Sequence, residues 1–453
     1  MAREVAFGQD EGRSRLVTYI EHARELFGRS AESGAIVGFL SVMIFFIITT
    51  WSGGGWPPAQ ILDGRSIASI ITNATSQGII AVGVTMLMIS GEFDLSVGST
   101  LGLSALMFIL AADRGPGGLV ELIPGISEER VLDWGISYAG MGGLAAMAVS
   151  LATGALLGLI NGLLLVWTRI PSFIVTLGTL YIYRSIMLNI IPGGTIARYL
   201  REPITWEFSP IVLIVMAVVI VALLVALLGY SMRLNWRGLQ KTNNGRFGPL
   251  FRLSLAGLAL IAAVVAGVLV IIGFAGDLDT TVSAPLFEIL NGKLGFVKEN
   301  FRSSIIWWGL LAIIFTIILN HTSYGNAVFA VGGNAQAARA QGINVNRVKV
   351  TNFVISGTLA AVAGIMEAAR FSVVEPLRGQ GYELDVIAAT VIGGTLLTGG
   401  YGSIFGSVLG ILIAFMLKTG LVLIGVQADW FRGVLGMIMI GAVIINTNVR
   451  RQR

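Results

Sequence analysis

Hydrophobic residues in this chain come in long runs and do not alternate with polar ones. Apolar stretches occupy 35–51, 66–90, 95–112, 139–167, 172–191, 209–229, 253–275, 303–319, 351–372, 384–397, 401–420 and 430–449. Many of them approach the ~20 residues a helix needs to cross the hydrocarbon core. The ~10-residue alternating strands of a membrane barrel do not occur in the sequence. The pattern predicts an all-α, polytopic helical membrane protein with about 10–12 transmembrane segments. Two spans are short and glycine-interrupted, as broken or half helices are.

The polar positions divide the chain. Residues 1–33 form a segment before the first span, 34–449 a single transmembrane domain with a polar loop at 320–350, and 450–453 a basic tail. In the first segment Leu16, Ile20, Ala23 and Phe27 recur at helical spacing beside Arg13, Arg15, Arg24 and Arg29. That suits an amphipathic helix lying on the membrane surface, and a solvated tail equally. No small-x-small cleavage site follows the first apolar run, so it does not read as a cleaved signal. Segment 284–301 is spaced for a short amphipathic helix or a structured loop.

One stretch breaks the hydrophobic pattern in mid-run. GEFDLSVGS (91–99) lies between GIIAVGVTMLMI and TLGLSALMFIL. A charge at the bilayer centre costs at least ~2.5 kcal/mol, so Glu92 and Asp94 need a reason. Gly91 ends the preceding helix. Asp94 is placed to cap a helix starting at Leu95, accepting the N–H of Ser96 or Val97 at the positive end of its dipole. Glu92 has no capping role and needs water or an arginine; Arg184 is a candidate. SGEFDLSVGSTLG (90–102) also aligns without a gap to TGGYGSIFGSVLG (398–410), with five identities including Gly91/Gly399 and Gly98/Gly406. Two broken-helix elements in corresponding positions point to a transport pathway; chance matching of glycine-rich segments is the competing explanation.

A second stretch is polar by composition. In GGNAQAARAQGINVNRVKV (332–350) Gly332 and Gly333 end a segment and Asn334 caps a short alanine-rich helix. Gly342 then stops it, and Asn346 caps the next span.

Composition agrees with the pattern: 55% of residues are hydrophobic and 12% charged, against ~25% charged in soluble domains. The net charge is +5. Lys and Arg without acids occupy 230–252 and 320–350, and Arg450, Arg451 and Arg453 lie in the tail, whereas 113–138 and 276–302 are mixed, with acids beside Lys293, Lys298 and Arg302 in the second. With an even number of spans, the basic segments and both termini fall on the cytoplasmic side. There are no cysteines, which excludes disulfide and thiol chemistry. His22 and His321 are far apart and read as solvated residues, with no metal site implied. No G-x-x-x-x-G-K-[S/T] phosphate loop occurs. Arg184, Glu367, Arg370 and Lys418 are too few for a proton relay, and no nucleophile, metal or acid/base set suggests an enzyme.

Here a resemblance becomes specific. The run 332–350 resembles the cytoplasmic coupling segment of permease subunits from ATP-binding-cassette monosaccharide importers of the ribose/xylose branch. GEFDLSVGS, IPSFIVTLGTL (170–180), ELDVIAATVIGGTLLTGGYGS (383–403) and WFRGVLGMIMI (430–440) are similar to segments of the same family, in the same order. The likeness runs from about residue 66 to the C-terminus, is greatest to xylose-type permeases, and is weakest before residue 34 and within 231–302. It implies that Gly332, Gly333, Asn334, Ala337, Ala338, Arg339, Gly342 and Ile343 dock into a cytoplasmic ATPase. It implies that Glu92, Asp94, Leu95, Ser96, Gly98 and Ser99 shape a helix break beside the pathway.

The resulting expectation is the membrane-spanning subunit of an ATP-driven importer of a xylose- or ribose-like monosaccharide in a bacterial inner membrane. ATP is used by a separate ATPase, and no cofactor binds this chain. A periplasmic solute-binding protein and a second permease copy complete the assembly; nucleic acid has no place in it. Asn73, Gln77, Asn161, Thr176 and Tyr181 are candidate solute contacts, with inter-helix hydrogen bonding as the competing role. A nucleoside or branched-chain amino acid permease is the alternative, and an ion-coupled secondary transporter the more distant one.

Overall fold

The structure is a computed structural model that describes residues 33–51, 59–191, 195–201, 205–208, 282–294, 299–427 and 430–451. Its helices are α1 (Ser33–Thr49), α2 (Gly64–Ile89), α3 (Val97–Val120), α4 (Glu128–Asp133), α5 (Gly143–Thr168), α6 (Ser172–Ile190) and α7 (Leu286–Asn291). They continue with α8 (Ser304–His321), α9 (Ser323–Gly333), α10 (Ala335–Ala340), α11 (Val345–Phe371), α12 (Tyr382–Ile392), α13 (Ile404–Leu423) and α14 (Trp430–Arg451). Strands are marginal: β1 (Ala197–Arg198) pairs with β4 (Val373–Val374), and β2 (Thr205–Phe208) with β3 (Val282–Pro285), both antiparallel.

Every expected span that falls on described residues is helical. The spans at 209–229 and 253–275, and the surface helix expected in 1–33, lie outside them but for the last residue of that segment. Among the described residues seven helices, α2, α3, α5, α6, α8, α11 and α13, are long and apolar enough to cross a membrane. The chain is therefore a polytopic all-α membrane protein. Segment 284–301 supplies the short helix α7, whose Asn291 side chain donates to Met366 O of α11 at 2.7 Å.

Helix α11 is the centre of the bundle, packed on α2, α3 and α5. Small residues make this possible, because two backbones approach closely only where side chains are absent. On α5, Gly154 and Gly158 face α11 so closely that a Cβ on Gly158 would lie 2.2 Å from Phe353 O. Helix α13 packs on α2 and α1, and Thr85 donates to Ser407 at 2.7 Å across the first of these interfaces.

The 27 residues of α11 rise ~40 Å and serve as a ruler of depth. Glu92 meets Lys349 near its start, Asp94 meets Ser356, and Leu101 O lies beside Gly364. The segment after α2 therefore climbs as extended chain, and α3 begins roughly halfway up the bundle. Helix α12, with 11 residues, rises only ~16 Å. Its approach, 372–381, folds back along α3 until Gly379 O is 2.1 Å from where a Cβ on Gly98 would sit.

The two aligned segments share backbone geometry. Gly91 and Gly399 are both left-handed, with φ of +86° and +81°, and the following helices start at Val97 and Ile404. The two turns also touch each other: a Cβ on Gly399 would lie 2.8 Å from Gly91 Cα.

Candidate functional site

The loop between α9 and α11 is built by its own side chains. Asn334 is extended and its Oδ1 accepts the N–H groups of Gln336 and Ala337, both at 3.0 Å. That occupies two of the donors a helix start leaves unpaired. Gly342, at φ +83°, reverses the chain after α10, and the N–H of Ile343 closes back on Ala338 O at 3.0 Å. The expected cap of the next span, Asn346, is replaced by Asn344, whose Oδ1 accepts Arg347 N–H at 3.0 Å. Helix α11 starts at Val345, so a residue at 346 already lies inside its first turn.

The residues implied to dock divide into two groups. Gly333, Asn334, Ala337, Arg339 and Gly342 are exposed. Ala338 is 4% exposed and holds α10 down on the core. Ile343 is half-buried. Gly332 is wedged: a Cβ there would lie 1.7 Å from Ile89 O and 2.5 Å from Gly400 N. The end of α9 thus sits directly on the turns at Gly91 and Gly399–Gly400, and the Gly400 N–H donates to Ile89 O at 2.8 Å.

Three side chains on one face of α11, Lys349, Asn352 and Ser356, stitch α11 to the end of α2 and to GEFDLSVGS. Lys349 Nζ forms an ion pair with Glu92. Asn352 donates to Met86 O at 3.2 Å and accepts from Tyr324 of α9 at 2.6 Å. Ser356 donates to Asp94 Oδ2 at 3.2 Å. Their i, i+3, i+7 spacing puts them in one row.

Asp94 is 1% exposed. Its Oδ1 accepts both the N–H and the hydroxyl of Ser96, at 2.9 and 2.6 Å. The helix starts at Val97 with Ser96 at its N-cap, so Asp94, expected to be the cap of a helix starting at Leu95, stands two residues ahead of the cap and does not fill it. Leu95 and Ser96 form a turn because their donors have nearer partners: Leu95 N–H donates to Thr176 Oγ1 at 3.1 Å. Phe93 N–H donates to Ser172 Oγ at 3.0 Å. Ser99 donates to Ser96 O at 2.8 Å. Every contact here answers the demand that non-helical backbone at depth be satisfied inside the protein.

Glu92 takes Lys349 and not Arg184. Arg184 lies 12 residues beyond Ser172 on α6, ~18 Å along the helix, and donates to the carbonyls of Pro376 and Arg378, each at 2.9 Å.

The five candidate solute contacts do not converge. Asn161 and Thr176 are fully buried in the GEFDLSVGS network; Asn161 donates to Ser96 Oγ at 2.8 Å and accepts from Tyr183 at 3.1 Å. Tyr181 is 64% exposed on the outward face of α6. Asn73 and Gln77 lie together on α2, Asn73 accepting from Arg370 at 3.1 Å and Gln77 lying beside Asp385 of α12. Lys349, Asn352 and Ser356 were missed from sequence. Their signal was a polar row at helical spacing in an apolar span, with two buried acids elsewhere in need of donors.

The model of the family described as "branched-chain amino acid transport system / permease component" matches residues 66–230 and 195–443. The chain is 30% identical over 421 residues to the xylose transport system permease protein of Escherichia coli K12, covering 92% of each. It is 28% identical to the xylose transport system permease protein of Haemophilus influenzae, over 92% of this chain and 96% of the relative. The ribose import permease protein of Escherichia coli K12 is 27% identical over 84% of this chain and 85% of its own length. No solved structure gives a significant match.

Proposed function

Because the chain belongs to the branched-chain amino acid transport system / permease component family, we propose that it is the membrane-spanning subunit of an ATP-driven importer of a monosaccharide. The observation that carries this is similarity over 92% of the chain to a xylose permease and over 84% to a ribose permease. A xylose- or ribose-like pentose is the cargo. The energy comes from a separate ATPase subunit, a solute-binding protein delivers the sugar, and a second permease copy completes the pathway.

In this reading the α10 end is cytoplasmic. Helix α10 presents Ala337 and Arg339 outward while Ala338 anchors it, so a partner can press on it without unfolding it. Its neighbours α9 and α11 are pinned to the α2–α3 connection by the wedge at Gly332 and by Lys349, Asn352 and Ser356. A push on α10 therefore shifts Glu92, Asp94 and the start of α3 together, half a membrane away from the ATPase. Buried hydrogen bonds and an ion pair transmit such a displacement because separating them leaves unpaired polar groups at a cost of ~1–3 kcal/mol each.

The test is uptake of labelled D-xylose and D-ribose into vesicles holding the chain with its ATPase and binding protein. Uptake should require ATP and survive ionophores that collapse proton and sodium gradients. Gradient-driven uptake by this chain alone would establish secondary transport instead.

A further inference from the structure

Four helices bring ionisable and amide side chains together at a depth where the sequence offers mainly hydrocarbon. Asp385 lies in the first turn of α12, level with the start of α3 through the Gly379–Gly98 contact. Gln77 of α2 lies beside its carboxyl, and Arg432 of α14 and Lys418 of α13 place positive charge near it without closing an ion pair. Arg432 also reaches the backbone at Gly381, its Nη2 being 3.2 Å from where a Cβ there would sit. Lys418 Nζ lies 5.8 and 5.9 Å from the ring centroids of Phe415 and Phe431.

This cluster is not sealed. Asp385 is half-buried, and Lys418 and Arg432 are exposed. Charges at such depth do not face lipid; they line water or pair inside protein. The backbone beside them, 372–381, is non-helical apart from β4, which carries the same requirement. A dry structural ion pair would have no need of exposed cations from two helices. The chemistry is that of polyol recognition: a carboxylate accepts hydroxyl protons, an amide bonds both ways, and cations donate to hydroxyl oxygens. The aromatic rings beside Lys418 offer an apolar face to C–H groups.

We infer that Asp385, ringed by Gln77, Lys418 and Arg432, is a water-filled station on the translocation path that holds a neutral polyhydroxylated solute at mid-membrane. The inference deepens the import reading and rests on it. In the single chain the station opens sideways, and the second permease copy closes it.

The chain has no cysteine, so single-cysteine variants report without background. Lys418→Cys and Asp385→Cys, in the full chain in membrane vesicles, should react with a cationic, membrane-impermeant methanethiosulfonate, and D-xylose should slow the reaction. Leu163→Cys, on the exposed apolar face of α5, should stay unreactive. Both station thiols as inert as the Leu163 control, or labelling indifferent to D-xylose, would overturn the station. Asp385→Asn should lower D-xylose uptake about tenfold at unchanged ATP hydrolysis, the effect of one lost polar contact, with partial rescue by Asp385→Glu; full uptake by Asp385→Asn overturns the assignment. If that variant does not fold, Gln77→Leu is read in its place with the same two outcomes. Thiol labelling needs neither ATPase nor transport. A wild-type complex without ATP-driven uptake sinks the import reading, whereas dry thiols in a transporting complex sink the station alone.

Discussion

Gly332→Ala and Gly333→Ala are neighbouring substitutions that should behave in opposite ways. Neither residue has a positive φ, so alanine meets no backbone strain at either. At Gly333 a new Cβ finds nothing within 4 Å, and the expected change is within ~0.5 kcal/mol. At Gly332 it would lie 1.7 Å from Ile89 O and 2.5 Å from Gly400 N. Ordinary contact begins near 3.4 Å, so α9 must lift away from the α2 terminus by well over an ångström. Overpacking of this kind costs ~1–3 kcal/mol. The Gly400–Ile89 hydrogen bond, 2.8 Å long, sits in the same gap and adds ~0.5–1.5 kcal/mol when lost. Gly342→Ala separates the remaining factor: its φ is +83° with open space around it, so strain alone should cost ~1–2 kcal/mol. Thermal unfolding in detergent, followed by the fluorescence of the nine tryptophans, ranks the three variants. A shift of roughly 2 °C per kcal/mol is expected. The order should be Gly333→Ala unchanged, Gly342→Ala intermediate and Gly332→Ala lowest. Equal midpoints for Gly332→Ala and Gly333→Ala would refute the wedge.

Reversing Glu92 or Lys349 singly should cost about 3 kcal/mol, as for other broken buried pairs. The double reversal Glu92→Lys with Lys349→Glu should recover at least half of the loss in the same melting assay. Ala338→Glu places a carboxylate in the core and should lower the melting midpoint. Ala337→Glu, on the exposed side of α10, should leave the midpoint alone while abolishing co-purification of the ATPase, and retained ATPase binding would move the docking face elsewhere. Asp94→Ala leaves the Ser96 and Ser356 donors without their acceptor and should cost about 2 kcal/mol; a wild-type melting profile would remove Asp94 from its structural role.

Much of this molecule is written locally. A span is recognised because apolar length must match hydrocarbon thickness, a property of ~20 consecutive residues; the expected spans on described residues are accordingly all helical. The same holds for α10, whose Asn334 cap and Gly342 stop act within three residues of themselves. GEFDLSVGS was visible as a break because two acids in an apolar run demand an explanation whatever surrounds them.

What the explanation is, only the tertiary structure decided. Lys349, which pairs with Glu92, and Ser356, which joins the local Ser96 donors on Asp94, lie 257 and 262 positions further along the chain, and no local pattern supplies them. Cap positions shifted from Asp94 to Ser96 and from Asn346 to Asn344 because a cap depends on where the packed helix begins. Ala338 turned inward, Gly332 became a wedge, and Asn73 and Gln77 parted from Asn161, Thr176 and Tyr181. Hydropathy and capping are short-range energies that a sequence states outright. Which faces meet depends on close packing of whole helices, and that is settled only when they assemble.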